Sequence, residues 1–175
     1  GKTYTVEYLG NIVGGEQVVY LNVDMDTMKR AAIDTLEDGE PVWFGCDVGK
    51  QFQRQVGLWD AELLDFDGLY GVAEGLNKPD RLHYHHTAMT HAMLFTGVDV
   101  LDGSPRRWRV ENSWGDEGVG RKGFQTMNDS WFDEYVFEIA AHRSRLSDTL
   151  QTAVAEKPIV LPPWDPMGAL ARTMC

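Results

Sequence analysis

Two side chains in this sequence have the chemistry of a proton-transfer pair: His91, in Thr90-His91-Ala92-Met93, and Asn112, in Glu111-Asn112-Ser113-Trp114-Gly115. An imidazole takes up and releases protons near neutrality. A carboxamide oxygen bonded to one ring nitrogen fixes the tautomer and leaves the other nitrogen free to act on a nucleophile. Residues Ala92 to Leu101 are apolar and β-branched, Asp102-Gly103-Ser104-Pro105 is a turn signal, and Trp108 to Asn112 forms the return strand. A hairpin folded about 102 to 105 sets residues 91 and 112 roughly opposite each other, within hydrogen-bond reach. Trp114 would then roof that bond against water and strengthen it. The same placement also suits a satisfied polar pair with no chemical role, and spacing alone leaves both readings open.

A base of this kind needs a nucleophile, and the chain has two cysteines. Cys46 lies in Val42-Trp43-Phe44-Gly45-Cys46-Asp47, where apolar neighbours and the adjacent carboxylate disfavour a thiolate, so it reads as core. Cys175 ends a tail with nothing near it to activate a thiol. His83, His85 and His86, with His91, invite a test for metal, because alternate strand residues can offer two imidazoles to one ion. No carboxylate or cysteine sits at a convincing spacing, so a solvated run is the simpler reading and neither metal nor cofactor is expected. The acidic stretch from Asp60 to Asp67 likewise reads as a solvated face.

The elements that must position the pair can be read around it. Residues 3 to 22 alternate short β-rich runs with Gly10-Asn11 and Gly14-Gly15 turns. Asp24 or Asp26 can cap a helix over about 26 to 38, with Met28, Ala32 and Leu36 on one stripe and Gly39 at its end. Val42 to Asp47 predicts a strand buried on both faces. Residues 49 to 86 show no clear period and predict loops with one short helix. After the hairpin come a glycine-rich loop at 115 to 123, a strand at 123 to 127 and a last one near 135 to 140. This predicts a four-stranded antiparallel meander. Leu146 to Ala155 reads as helical, and from Lys157 onward Pro158, Pro162, Pro163 and Pro166 predict an arm without regular structure.

With 175 residues, 43% of them hydrophobic, and six Trp, six Tyr and seven Phe, one packed domain is expected rather than a disordered tail. Sixteen basic against twenty-seven acidic residues leave a net charge of -11, which repels phosphate backbones and anionic lipid. Neither nucleic acid nor a membrane is expected as a partner. No apolar run is long enough to span a bilayer, and the first residues lack the order of a signal peptide. Two cysteines make a poor disulfide framework, so a reducing, cytoplasmic setting is expected. The start at Gly1, entering directly into Tyr4-Thr5-Val6-Glu7-Tyr8-Leu9, reads as a cut end.

Asn112-Ser113-Trp114-Gly115, followed by Gly120 and Lys122-Gly123-Phe124, resembles the segment around the asparagine of papain-like cysteine peptidases. Longer runs are more specific: Pro41 to Lys50, Met89 to Met93, Trp108 to Gly115 and Trp164 to Ala171 are similar to the bleomycin hydrolase, or aminopeptidase C, family. The resemblance is spread over nearly the whole chain. It implies an α+β, papain-like fold, with residues 1-156 forming the β-rich, His- and Asn-bearing part and 157-175 a carboxy-terminal arm lying in the active-site cleft. It further implies a Cys-His-Asn triad in which His91 draws the proton from a cysteine and Asn112 orients the ring. In the family that cysteine and an oxyanion-hole glutamine come from an amino-terminal half absent here, so the chain is expected to be inactive alone.

Peptides with a free amino terminus would be the substrates, the amino-terminal half a partner, and a hexameric ring the assembly. Arg172-Thr173-Met174-Cys175 extend past the family's usual end, which puts the one-residue-at-a-time register in question. An inert short relative that binds peptides or caps an oligomer is the main rival, and a metal-binding module on the histidines a weaker one.

Overall fold

The computed structural model describes residues 1–171 except 11, 72–74, 118 and 169. Strand β1 (Lys2–Val6) pairs antiparallel with β2 (Tyr20–Asn22). Helix α1 (Met25–Glu37) follows, capped where Thr27 N–H donates to Asp24 Oδ1 at 2.7 Å. It stops at Gly39, whose φ of +84° is one that a Cβ disfavours. Its inner face, Ala31, Ala32, Ile33 and Thr35, is buried.

Strand β3 (Val42–Cys46) follows and becomes the second strand from one edge of the main sheet. Val42, Phe44 and Cys46 point into the core, but Trp43 is 56% exposed, so the strand is not covered on both faces. The continuous apolar run hid an alternation because tryptophan counts as apolar wherever it points. Residues 49 to 86 are richer than expected. They form β4 (Phe52–Gln53), β5 (Leu58–Trp59), α2 (Phe66–Tyr70) and α3 (Lys78–His83). Elements this short carry no period for a sequence reading to detect.

The long hairpin is β6 (His91–Leu101) and β7 (Ser104–Glu111), joined at Asp102-Gly103. Both turn residues have positive φ, 51° and 81°. That is the two-residue turn Asp-Gly favours, because its twist matches that of the strands. After β8 (Phe124–Asn128) and α4 (Asp129–Tyr135), β9 (Val136–Ile139) does not extend a meander. It returns to pair with β3 at the other edge, giving a seven-stranded sheet of order β4-β5-β8-β7-β6-β3-β9. Helix α4 provides the crossover that a meander would lack. A 3-10 turn at Arg143–Arg145 precedes α5 (Asp148–Val154).

The proline-rich arm does contain regular structure. Between Pro158 and Pro162 the segment Ile159–Leu161 forms β10, parallel to β1, with Tyr4 opposite Ile159 and Val6 opposite Leu161. The prolines bracket the strand, so none of them removes a donor from within it. Residues 172–175 lie outside the described residues.

Aromatic rings fill the core. Phe44 and Phe95 stack at 3.8 Å, and Phe95, Trp108 and Phe132 pack within 5.5 Å of one another. Trp59, Trp108 and Trp131 are fully buried, and each indole N–H has a partner: Val48 O, Asp129 Oδ1 and Lys50 O. Truncating rings of this kind costs about 3–5 kcal/mol each.

Candidate active site

His91 opens β6 at the end of the sheet. Its Cα is opposite Cys46 of β3, and Leu94, not His91, faces Glu111 of β7. Asn112 therefore lies just beyond the hairpin ladder, and the two side chains meet diagonally across strand ends rather than directly opposite. His91 Nε2 and Asn112 Oδ1 are 2.9 Å apart. The Ser113 backbone N–H also donates to Asn112 Oδ1, at 2.8 Å, which sets the oxygen rather than the amine towards the ring. An oxygen acceptor requires the proton on Nε2, so Nδ1 keeps its lone pair. Among the described residues Nδ1 has no hydrogen-bond partner.

Trp114 stacks on the His91 ring at 5.4 Å with 26° between planes, the roof its position in sequence suggests. Behind Trp114 stand Phe52, at 5.8 Å, and the Arg54 guanidinium, 5.4 Å from the ring centroid. Phe52 in turn stacks on Trp59 at 4.2 Å. A line of rings thus runs from the imidazole into the core, and a ring held on one face loses less entropy when it bonds. Phe52 and Arg54 were not readable as site residues, since they belong to a stretch with neither motif nor period.

The start of β6 is fixed from below. The buried Asp47, next after β3, accepts from Thr87 Oγ1 at 2.7 Å, and Thr90 N–H donates to Cys46 O at 2.9 Å. Cys46 itself is fully buried, and burial, reinforced by the Asp47 charge, pushes its thiol pKa far up. It is core, as its sequence context indicates, although its backbone pairs with His91. Cys175 falls outside the described residues.

His83 ends α3 and packs edge-on to Tyr84, and His85 adopts a positive φ of 57°. Among the described residues no three His, Cys, Asp or Glu side chains converge as a metal site. No described helix is long and apolar enough to cross a membrane.

A sheet closed on one side by α1 and α4, with an imidazole and an amide at its end and a tryptophan over them, is the His- and Asn-bearing part of the papain-like α+β fold. The chain belongs to the Peptidase C1-like family, which it matches over residues 1–168. It is 46% identical to aminopeptidase C of Listeria monocytogenes over 97% of its own length, and 47% identical to human bleomycin hydrolase over 98%. A solved structure of PepW from Lactobacillus rhamnosis HN001 superposes with a TM-score of 0.91 at 47% identity, covering 96% of this chain. The chain spans 38% of the length of each of these three proteins.

Proposed function

We propose that this chain supplies the general base, His91, and the amide that orients it, Asn112, to a cysteine aminopeptidase. In this reading the thiol comes from the amino-terminal part of the longer protein. The observation that carries it is the bond from Nε2 to Asn112 Oδ1, with no partner on Nδ1 among the described residues. Nδ1 takes the thiol proton, and the thiolate forms a bond to the peptide carbonyl carbon. The tetrahedral adduct collapses, and the imidazolium returns its proton to the leaving amine. Water then attacks the acyl-enzyme with Nδ1 as base, releasing the acid and the thiol. Asn112 accepts from Nε2–H throughout, so the ring does not turn between steps.

Removal of residues from a free amino terminus, a carboxy-terminal arm in the cleft, a hexameric ring and a cytoplasmic setting belong to the same proposal through the family resemblance. Alone, the chain should be inactive in this reading: among the described residues the one cysteine, Cys46, is sealed in the core.

The test is hydrolysis of a fluorogenic amino-acid amide by this chain, by an amino-terminal half from a close relative, and by the two together. Turnover in the mixture alone, lost with His91→Ala, is the expected result. No turnover from a folded, demonstrably bound pair would overturn the reading in favour of an inert peptide-binding relative.

A further inference from the structure

Asp47 has a feature that core packing does not require. The residue is 5% exposed and, among the described residues, its carboxylate makes no ion pair. It is satisfied instead by the segment leading into β6. Oδ2 accepts from Thr87 Oγ1 at 2.7 Å and lies 3.4 Å from Ala88 N, while Oδ1 lies 3.5 Å from Thr90 Oγ1. Thr87 and Ala88 are themselves 1% and 6% exposed, so these bonds are shielded from water.

Burying a carboxylate without a cation is costly, and hydrogen bonds to its charged form offset that cost. An apolar side chain could fill the same volume without that cost, so the acceptor oxygens are there for what they hold. What they hold is the backbone just before His91.

We propose that Asp47 is a positioning residue for His91: its buried carboxylate ties residues 87–90 to the end of β3 and so fixes the backbone from which the imidazole projects. The inference rests on reading His91 and Asn112 as a working pair. The ring has two other supports, Trp114 on its face and Asn112 at Nε2, but neither fixes where β6 begins. The backbone bond from Thr90 N–H to Cys46 O ties the same segment to β3 beside the carboxylate.

The test measures solvent exchange of the His91 Nε2–H proton by NMR on this chain, with the Trp108 Nε1–H proton as internal reference. The indole proton bonds Asp129 Oδ1 in the core, so general loosening of the fold speeds both. Asp47→Ala should speed His91 exchange at least about tenfold while leaving Trp108 unchanged, the scale of a lost shielded hydrogen bond. Asp47→Asn keeps an acceptor for the Thr87 hydroxyl and should stay near the wild-type rate. If Asp47→Ala does not fold, Thr87→Val, which deletes only the donor, decides by the same comparison. An unchanged His91 rate, or equal acceleration of both protons, overturns the tether alone. A wild-type chain with no protected Nε2–H overturns the His91–Asn112 pair and the tether with it.

Discussion

Two polar clusters sit at different places in this molecule, and they are built on different rules. Between α1, α3 and α4, Lys29 pairs with Asp129 and Asp133 at 2.7 Å each. Lys78 Nζ donates to Asp133 O and Val136 O, and Arg81 to Leu76 O and the Glu134 carboxylate. Carboxylates match Lys29 and Arg81, backbone carbonyls take Lys78, and the three cations fasten the end of α4 to its neighbours. At the end of the sheet, His91 is held through one nitrogen only, and the other has no described partner. Closing a fold calls for cations held on several acceptors; a base calls for a nitrogen that keeps its lone pair. A titratable ring nitrogen with no partner among the described residues, rather than burial or charge, is what singles out the candidate site.

That contrast gives a ranked set of expectations. The largest effect is on chemistry: in the reconstituted pair, His91→Ala should lower aminopeptidase turnover by about 10³-fold or more, in the range of a lost general base. Its effect on folding should be small, within about 1 kcal/mol, because the half-exposed ring carries little of the core. Chemical denaturation of this chain checks the second half of the statement.

Lys29→Ala should do the reverse. Burial opposes the Lys29 charge, but the hydrogen bonds it donates to Asp129 and Asp133 outweigh that and hold its pKa above the ordinary value. Removing the ammonium leaves two carboxylates facing each other and should cost about 2–3 kcal/mol of stability, the lower range for breaking a partly buried pair. Exchange of the His91 Nε2–H proton under native conditions should stay as in the wild type. A large change there would mean that the two clusters are one network.

Lys78 offers a finer separation through pH. Burial, only partly offset by Glu134 and Asp133, lowers its pKa from 10.5 to about 8. Because the folded value lies below the unfolded one, the unfolded chain binds the extra proton between them, and the Lys78 contribution to stability rises as pH increases from about 8 towards 10.5. Tyr20 acts oppositely above pH 10, since burial and then Glu138 raise its pKa to about 12. The stability difference between wild type and Lys78→Met should therefore shift in favour of the wild type between pH 8 and 10. A flat difference would place the amine in contact with water.

The smallest expected effect is that of the roof. Trp114→Ala removes the ring stacked on His91 without touching either hydrogen-bonding atom. It should weaken the His91–Asn112 bond by letting water compete, lowering turnover by about tenfold. Retention of full turnover would make the aromatic line a packing feature.

Much of this site was legible in the sequence, for identifiable reasons. His91, Asn112 and Trp114 sit in a continuous hairpin whose turn is an Asp-Gly pair, and local chemistry of that kind survives folding. The diagonal offset of the pair was not legible, because it depends on two ladder irregularities in β6 and on β3 pairing at His91. The return of β9 to β3 was missed because a strand's partner is chosen by the crossover helix before it, not by its own residues. β10 was missed for a related reason: prolines at 158 and 162 spoke louder than the three β-branched and apolar residues between them. Thr87 and Phe52 approach the site from stretches with no motif, and Asp47, although inside the Pro41 to Lys50 run, carried no sign of a role there; only the structure brings the three to the site.

The central claim is that His91 is the proton acceptor for a thiol supplied from elsewhere in the protein. The most direct measurement is the pH profile of alkylation of that thiol by iodoacetamide in the reconstituted pair, with wild-type chain and with His91→Ala. The account predicts that reactivity persists well below pH 7 with His91 and falls to that of an ordinary thiol, titrating near 8.5, without it. Identical profiles for the two would contradict it.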